Sequence, residues 1–332
     1  MATALYSALH FLVDMVCAWA MFGKFIPGND GYLSILLYNF CAFALQMPIG
    51  ALLDLYAPRS WKLPRFFAVS GVALTIIGVF THPVILGLGN ALFHVGGGVI
   101  TIREDNAHNR KGAALGIFVA PGAFGLYLGR VLNITFLPVF LLIVMLTIPV
   151  FFLNERQNDA APTESHPCPP LLILCCFLVV ILRSHIGMAV QMPWKTGILF
   201  PTLGVLAVVL GKMAGGILSV RFGCKATILT SLLLAAGCFL GSGSAAPGLG
   251  ALFLFNMTMP ITLYLLVQKL PDKPGFSFGL LTFGLFLGFL PTYLEVGLPL
   301  SAPLLGAIGS LISLVLLLLP LRKEGSLTCS PS

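Results

Sequence analysis

Residues 50–59 read GALLDLYAPR, and residues 215–225 read GGILSVRFGCK. Aligning Gly50 with Gly216 offsets the sequence against itself by half of its 332-residue length. A second match pairs GAALGIFVAPGAFGLYLG, from Gly112, with GFSFGLLTFGLFLGFL, from Gly275. Both members carry glycines at spacings that let helix backbones approach closely. Repetition of this kind points to two related halves. In a membrane chain, two such halves around a central cavity make a transporter, with its binding site near the midplane.

The composition says that the chain is a membrane protein. It is 58% hydrophobic and 9% charged, with a mean hydropathy of +1.00, whereas soluble domains are about 25% charged. Apolar runs of roughly 20 residues, each long enough to cross about 30 Å of hydrocarbon as a helix, follow one another along the chain. The ten-residue alternating segments of a membrane β-barrel are not visible. The expected fold is therefore an all-α polytopic membrane protein of twelve transmembrane helices arranged as two pseudo-symmetric six-helix bundles. The predicted spans are 3–25, 31–56, 65–81, 83–103, 112–130, 134–153, 170–190, 196–220, 226–243, 246–268, 275–293 and 298–321. The Thr81-His82-Pro83 break separates the third from the fourth, because 65–103 taken as one helix is too long for a single span. The first apolar run has no basic residues ahead of it and contains Asp14, so it reads as a retained span and not as a cleaved signal.

The loops carry the topology. The connections placed in the cytoplasm by an inside N-terminus hold thirteen Lys or Arg, against Lys24, Arg130 and Lys195 on the other side. This asymmetry puts both termini in the cytoplasm, with the plasma (inner) membrane as the expected location. The net charge of +7 is thereby a topological signal, and no nucleic-acid partner is implied. The polar, Pro-containing stretch 154–169 reads as a cytoplasmic linker. The expected domains are thus bundle 1–153, linker 154–169, bundle 170–321 and a cytoplasmic tail 322–332. Five of the eight cysteines (Cys17, Cys41, Cys175, Cys176 and Cys238) fall in apolar runs, where Cys packs as a small hydrophobe. No C-x-x-C or Cys/His spacing marks a metal site, and no cofactor is expected.

With these residues in view, GALLDLYAPR and GGILSVRFGCK resemble the loop between helices two and three, and its repeat, in the major facilitator superfamily. That loop has a Gly, an Asp four residues on, then a basic residue and a Gly. Here Gly50 and Asp54 keep one part, and Gly216, Arg221 and Gly223 the other. APGAFGLYLG, residues 120–129, resembles the Pro-Gly motif on the fifth helix of proton-driven exporters. LHFLVDM, QMPIGALLDLYAPRSW, NALFHVGGG and GFSFGLLTFGLFLG together resemble the fosmidomycin-resistance branch, which carries His-x-x-Asn-Asp in helix one and Phe-His-Pro-Glu in helix four. His10, Asp14, Phe93 and His94 match; Val13, Val95 and Gly96 depart from the Asn, Pro and Glu. The resemblance implies a midplane cavity lined by helices 1, 2, 4, 5, 7, 8, 10 and 11. It also implies that Asp14 and Arg183 face each other across it.

An ionisable side chain at the centre of a membrane helix costs about 2.5–3.5 kcal/mol and normally faces a cavity or a partner. His10 and Asp14, four apart, share a helix face and are the candidate proton-coupling pair; their bland reading is a structural tie between helices. Arg183 keeps its proton and needs a carboxylate, carbonyl dipoles or an anionic ligand, with snorkelling as its bland reading. Arg183, His94, His185 and Gln46 are the candidate substrate-binding residues. Asn39, Asn90, Asn256 and Thr258 read as interhelical hydrogen-bonding residues. Asp54, Arg59 and Arg221 read as a gate latch built from charges and helix-end dipoles. The GGG at 96–98 lacks the Lys-Ser/Thr of a phosphate loop and reads as a closely packed helix stretch.

The expected function is a secondary active transporter, not an enzyme, moving a small polar or anionic organic solute by alternating access, coupled to protons and directed to export. Its partners are that solute, protons and the lipid bilayer, with the chain a monomer. Uptake by symport or uniport is the alternative within the fold. A polytopic membrane enzyme would need a clustered acid–base or metal constellation, which dispersed ionisable residues do not suggest.

Overall fold

The computed structural model describes residues 2–28, 30–56, 60, 62–132, 135–153, 170–297 and 299–323. Among the described residues the chain is helical, with no strand. In chain order the helices are α1 (Ala2–Phe25), α2 (Gly31–Tyr56), α3 (Lys62–Phe80), α4 (Pro83–Ala107), α5 (Ala113–Val131), α6 (Phe136–Phe152), α7 (Pro170–Ala189), α8 (Leu199–Phe222), α9 (Cys224–Leu240), α10 (Ala245–Lys269), α11 (Pro274–Tyr293) and α12 (Ala302–Lys323). Ten of these are long and apolar enough to cross a bilayer; α6 and α9 are apolar and 17 residues long. The chain is an integral, multi-pass membrane protein. The expected linker at 154–169 and the tail beyond Lys323 lie outside the described residues.

Local chemistry explains where the helices stop. The α3–α4 break falls at Thr81-His82, as expected from the sequence. His82 is extended (φ −150°), its side chain accepts from the Val84 N–H, and Pro83 opens α4 where no donor is needed. α8 and α9 meet at Gly223, whose φ of +82° favours glycine, so α9 starts at Cys224, two residues earlier than expected. α9 then ends at Leu240, before the Gly241-Ser-Gly run. α12 begins at Ala302, four residues later than expected, with Pro303 in its first turn.

Three helices are irregular: α1 ends in π geometry at Met21–Phe25, and α2 and α10 are irregular in their interiors. α2 widens to π geometry at Phe40–Ala44, just ahead of Pro48, which has no N–H for the Ala44 carbonyl. α10 is interrupted at Met257, and Pro260 leaves the Asn256 carbonyl without its helical donor.

The helices fall into two compact units. Unit 1 comprises Met1–Arg110, Ile117–Ser165 and Leu270–Phe283; unit 2 comprises Lys111–Gly116, His166–Lys269 and Gly284–Ser332. Inside unit 1, α3 and α4 lie in backbone contact. A Cβ on Gly71 would sit 2.3 Å from the Phe93 nitrogen, and one on Gly89 2.3 Å from the Thr75 nitrogen. Gly96 belongs to the same contact, against Pro64 and Ala68, while Gly97 and Gly98 pack against the rings of Phe118 and Phe278, so the 96–98 stretch is closely packed, as expected. The two motifs repeated in sequence also meet in space, in reciprocal pairs. In unit 1 the end of α2 lies against the start of α11, where a Cβ on Gly50 would be 2.1 Å from the Gly275 carbonyl oxygen. In unit 2 the end of α8 lies against the start of α5, where a Cβ on Gly216 would be 2.6 Å from the Gly112 carbonyl oxygen. Of the spans, α1 and α4 are the most enclosed, with 72% and 83% of their apolar windows buried against 28–56% elsewhere. Buried helices can carry polar side chains that a lipid-facing helix cannot.

Candidate functional site

In unit 1, α1 and α4 each contribute an i, i+4 pair, which places both members on one face. His10 and Asp14 are buried, and His10 Nε2 lies 3.1 Å from Asp14 Oδ2. Asn90 and His94 face them from α4. Asn90 Nδ2 donates to Asp14 Oδ1 at 2.9 Å, and His94 Nε2 stands 2.8 Å from His10 Nε2 and 3.6 Å from Asp14 Oδ1. The outer ring nitrogens are tied to backbone carbonyls: His94 Nδ1 to Asn90 O at 2.8 Å, and His10 Nδ1 to Phe118 O at 2.7 Å. A carbonyl only accepts, so both Nδ1 atoms donate, and each neutral ring turns a lone pair inward from Nε2. Two facing lone pairs beside a carboxylate make a point that attracts a cation.

Glycine packs closely against this cluster. On α5 a Cβ at Gly122 would fall 2.3 Å from His10 Nε2 and 2.5 Å from Asp14 Oδ2, so any side chain there would displace its donor atoms. Pro121, next to it, interrupts the hydrogen-bond ladder of α5. His10, Asp14 and His94 offer donor atoms that all lie within 4.8 Å of one another. No sequence spacing points to these ligands, because His94 joins the pair on α1 from a different helix, far along the chain. Asn90, which reads in sequence only as a helix tie, is the partner of Asp14; its place four residues before His94 was the available signal.

Unit 2 holds a second buried polar group. Arg183 on α7 is 6% exposed, and its Nη2 donates to Thr258 Oγ1 at 2.7 Å and, more weakly, toward Thr262 Oγ1 at 3.4 Å. Nε and Nη1 have no hydrogen-bond partner among the described residues. Thr258 and Thr262 are one turn apart on α10, just where Pro260 interrupts it, and their hydroxyls also donate to the Phe255 and Thr258 carbonyls. Two hydroxyl oxygens solvate one corner of the guanidinium without neutralising it. A buried cation of this kind is satisfied by an anion. Thr262 was not among the sequence candidates.

The structure separates the other candidates. His185 is two residues beyond Arg183, about 200° around the helix. It lines a cavity of about 310 Å³ with Gln191, Thr292 and Glu295, and its Nδ1 has no partner among the described residues. Gln46 is fully buried; its Nε2 donates to the Ala42 carbonyl within α2, and its Oε1 has no partner among the described residues. Asp54 accepts from the Gly275 and Phe276 N–H groups at 2.9 and 2.7 Å, so its charge sits on the N-terminus of α11. Arg221 is exposed at the end of α8, 5.4 Å from the Phe222 ring centre. Arg59 lies outside the described residues.

No family profile and no curated protein matches the chain. Solved structures do. A major facilitator superfamily transporter, FucP, in the outward conformation, is similar over 99% of this chain and 100% of its own, with a TM-score of 0.62 at 13% identity. The human organic anion transporter MFSD10 (TETRAN) is similar over 96% and 98%, with a TM-score of 0.60 at 16% identity. A bacterial homologue of the iron transporter ferroportin, outward-facing, is similar over 96% and 98%, with a TM-score of 0.62 at 13% identity. The chain therefore has the major facilitator fold.

Proposed function

We propose that the chain is a secondary active transporter, and not an enzyme, that moves a small polar or anionic organic solute by alternating access. On this reading α6 and α9 also cross the membrane. At about 25 Å each they reach the lower end of the spanning range, giving twelve spans in two pseudo-symmetric six-helix halves, 1–153 and 170–321. The sequence resemblance to the fosmidomycin-resistance branch supports export, with Asp14 and His10 as the coupling residues and the proton gradient as the drive. Asp54 holds α11 in one state of the cycle, and Arg59 and Arg221 act with it as the gate. Both termini lie in the cytoplasm.

One observation carries the reading: Arg183, a cation at membrane depth with Nε and Nη1 unpartnered among the described residues, in a fold whose solved members are transporters. A guanidinium held by two threonines matches the oxygens of a carboxylate or phosphonate. The experiment is counterflow in proteoliposomes with a panel of organic anions, run with and without an imposed pH gradient. Saturable exchange of at least one anion is expected. An inert panel rules out the anion assignment.

A second reading, uniport or uptake symport, has its own observation. Where the exporter branch carries an acid, this chain has Gly96. A Cβ there would lie 2.4 Å from the Pro64 carbonyl oxygen and 2.5 Å from the Ala68 nitrogen. The backbone of α3 fills the space that a carboxylate would need. Exchange that ignores the pH gradient selects this reading over export.

A further inference from the structure

We propose that His10, His94 and Asp14 form a binding site for a divalent first-row transition metal of the zinc class, with two imidazole nitrogens and one carboxylate oxygen as protein ligands. The two Nε2 atoms stand 2.8 Å apart, and each faces a different oxygen of the one carboxylate, His10 at 3.1 Å from Oδ2 and His94 at 3.6 Å from Oδ1. An ion bound tetrahedrally at about 2.0–2.1 Å sets its ligands about 3.3–3.4 Å apart. The 3.1 Å from His10 Nε2 to Asp14 Oδ2 is close to that value, and the two rings, 2.8 Å apart, would separate by about half an ångström to seat the ion.

The surroundings are those of a ligand set held in place. Histidines that bind metals donate their other ring N–H to a carbonyl or carboxylate, which fixes the tautomer and aims the free lone pair. Both histidines here do so, through Phe118 O and Asn90 O. The carboxylate is oriented in turn by the Asn90 amide. Residue 122 is held to glycine: a Cβ there would lie within 2.5 Å of both His10 Nε2 and Asp14 Oδ2 and would push the donor atoms aside. Three protein ligands leave the fourth tetrahedral position to water or to an oxygen of an anion.

Charge and ligand type set the selectivity. With neutral imidazoles the cluster carries −1, and a divalent ion brings it to +1. Two nitrogens and one oxygen suit Zn²⁺, Co²⁺ or Fe²⁺, whereas Mg²⁺ and Ca²⁺ prefer all-oxygen shells. The site is made of the residues assigned above to coupling, yet binding does not depend on transport and is measured apart from it.

The test uses the full-length protein in lipid nanodiscs, titrated with Co²⁺ and read by its visible d–d absorption, with Zn²⁺ displacing it. One Co²⁺ per chain is expected, competed by Zn²⁺ and not by Mg²⁺. His10→Gln and His94→Gln should abolish the band. Asn90→Ala, which leaves every ligand in place, should weaken binding about 10–100-fold. Gly122→Ala should weaken it as well, and this variant decides the matter if the histidine variants fail to fold. An absent band in the wild-type protein, or a band that survives His10→Gln/His94→Gln, overturns the site; in the first case the two rings share only a proton. Co²⁺ binding in a protein with no anion exchange would leave the site standing and sink the transport reading, and exchange without Co²⁺ binding would do the reverse.

Discussion

Arg183 shows how much one side chain can carry. Its charge is solvated by two threonine hydroxyls at one corner and left open at Nε and Nη1. Arg183→Lys keeps the charge and loses the planar fork, while Arg183→Gln loses both. Anion exchange is expected to fall at least tenfold in the lysine variant and to vanish in the glutamine variant, measured as initial rates in proteoliposomes. Exchange unchanged in Arg183→Gln would show that the anion binds elsewhere. Lys195, in the loop between α7 and α8, makes a separate case. Burial holds its pKa below the usual 10.5, so the folded state disfavours its charge. Below that lowered value the lysine is charged in both states, and folding bears the cost. The cost is relieved as pH climbs through the lowered value toward 10.5, so this group makes stability rise with pH in that window. Thermal unfolding of wild type and Lys195→Met over the same range checks it: the variant should lack that rise.

Among the elements, the contact between α2 and α11 is the most exposed to a single change. Asp54 places a carboxylate on the first N–H groups of α11, where a negative charge and a cap together are worth about 1 kcal/mol. In the repeat, Val220 stands at the matching position, and Ser219 donates to the Lys111 carbonyl instead. The two halves thus keep the close backbone approach and differ in the cap. Asp54→Asn keeps an acceptor but drops the charge. Its expected effect is a change of roughly fivefold in transport rate with KM nearly constant, read from initial-rate kinetics. A shift in KM at constant rate would move Asp54 from gating to solute binding. The interior irregularities of α2 and α10 fall beside candidate polar residues. Pro260 breaks α10 where Thr258 and Thr262 meet Arg183, and the widened turn of α2 precedes the buried Gln46.

For the whole molecule, the asymmetry of the loops makes a prediction that no contact decides. With thirteen basic residues on one set of loops against three on the other, the C-terminal tail is expected in the cytoplasm. A green fluorescent protein fused after Ser332 is expected to fluoresce, and alkaline phosphatase fused there to be inactive. The opposite pattern would reverse the topology and with it the direction of transport.

The span pattern, the repeat and the His10–Asp14 pair were legible in the sequence because each is local or periodic: hydrocarbon thickness sets span length, and the helical turn puts i and i+4 on one face. The same rule, applied to spacing two, already separates His185 from Arg183. What only the tertiary structure decided is which distant residues converge. His94 and Asn90 reach Asp14 in one unit, and Thr258 and Thr262 reach Arg183 in the other; glycines such as Gly89 and Gly122 in the first and Gly211 and Gly215 in the second set how closely the helices pack. That register comes from the fit of whole helix faces, which no short stretch of sequence contains.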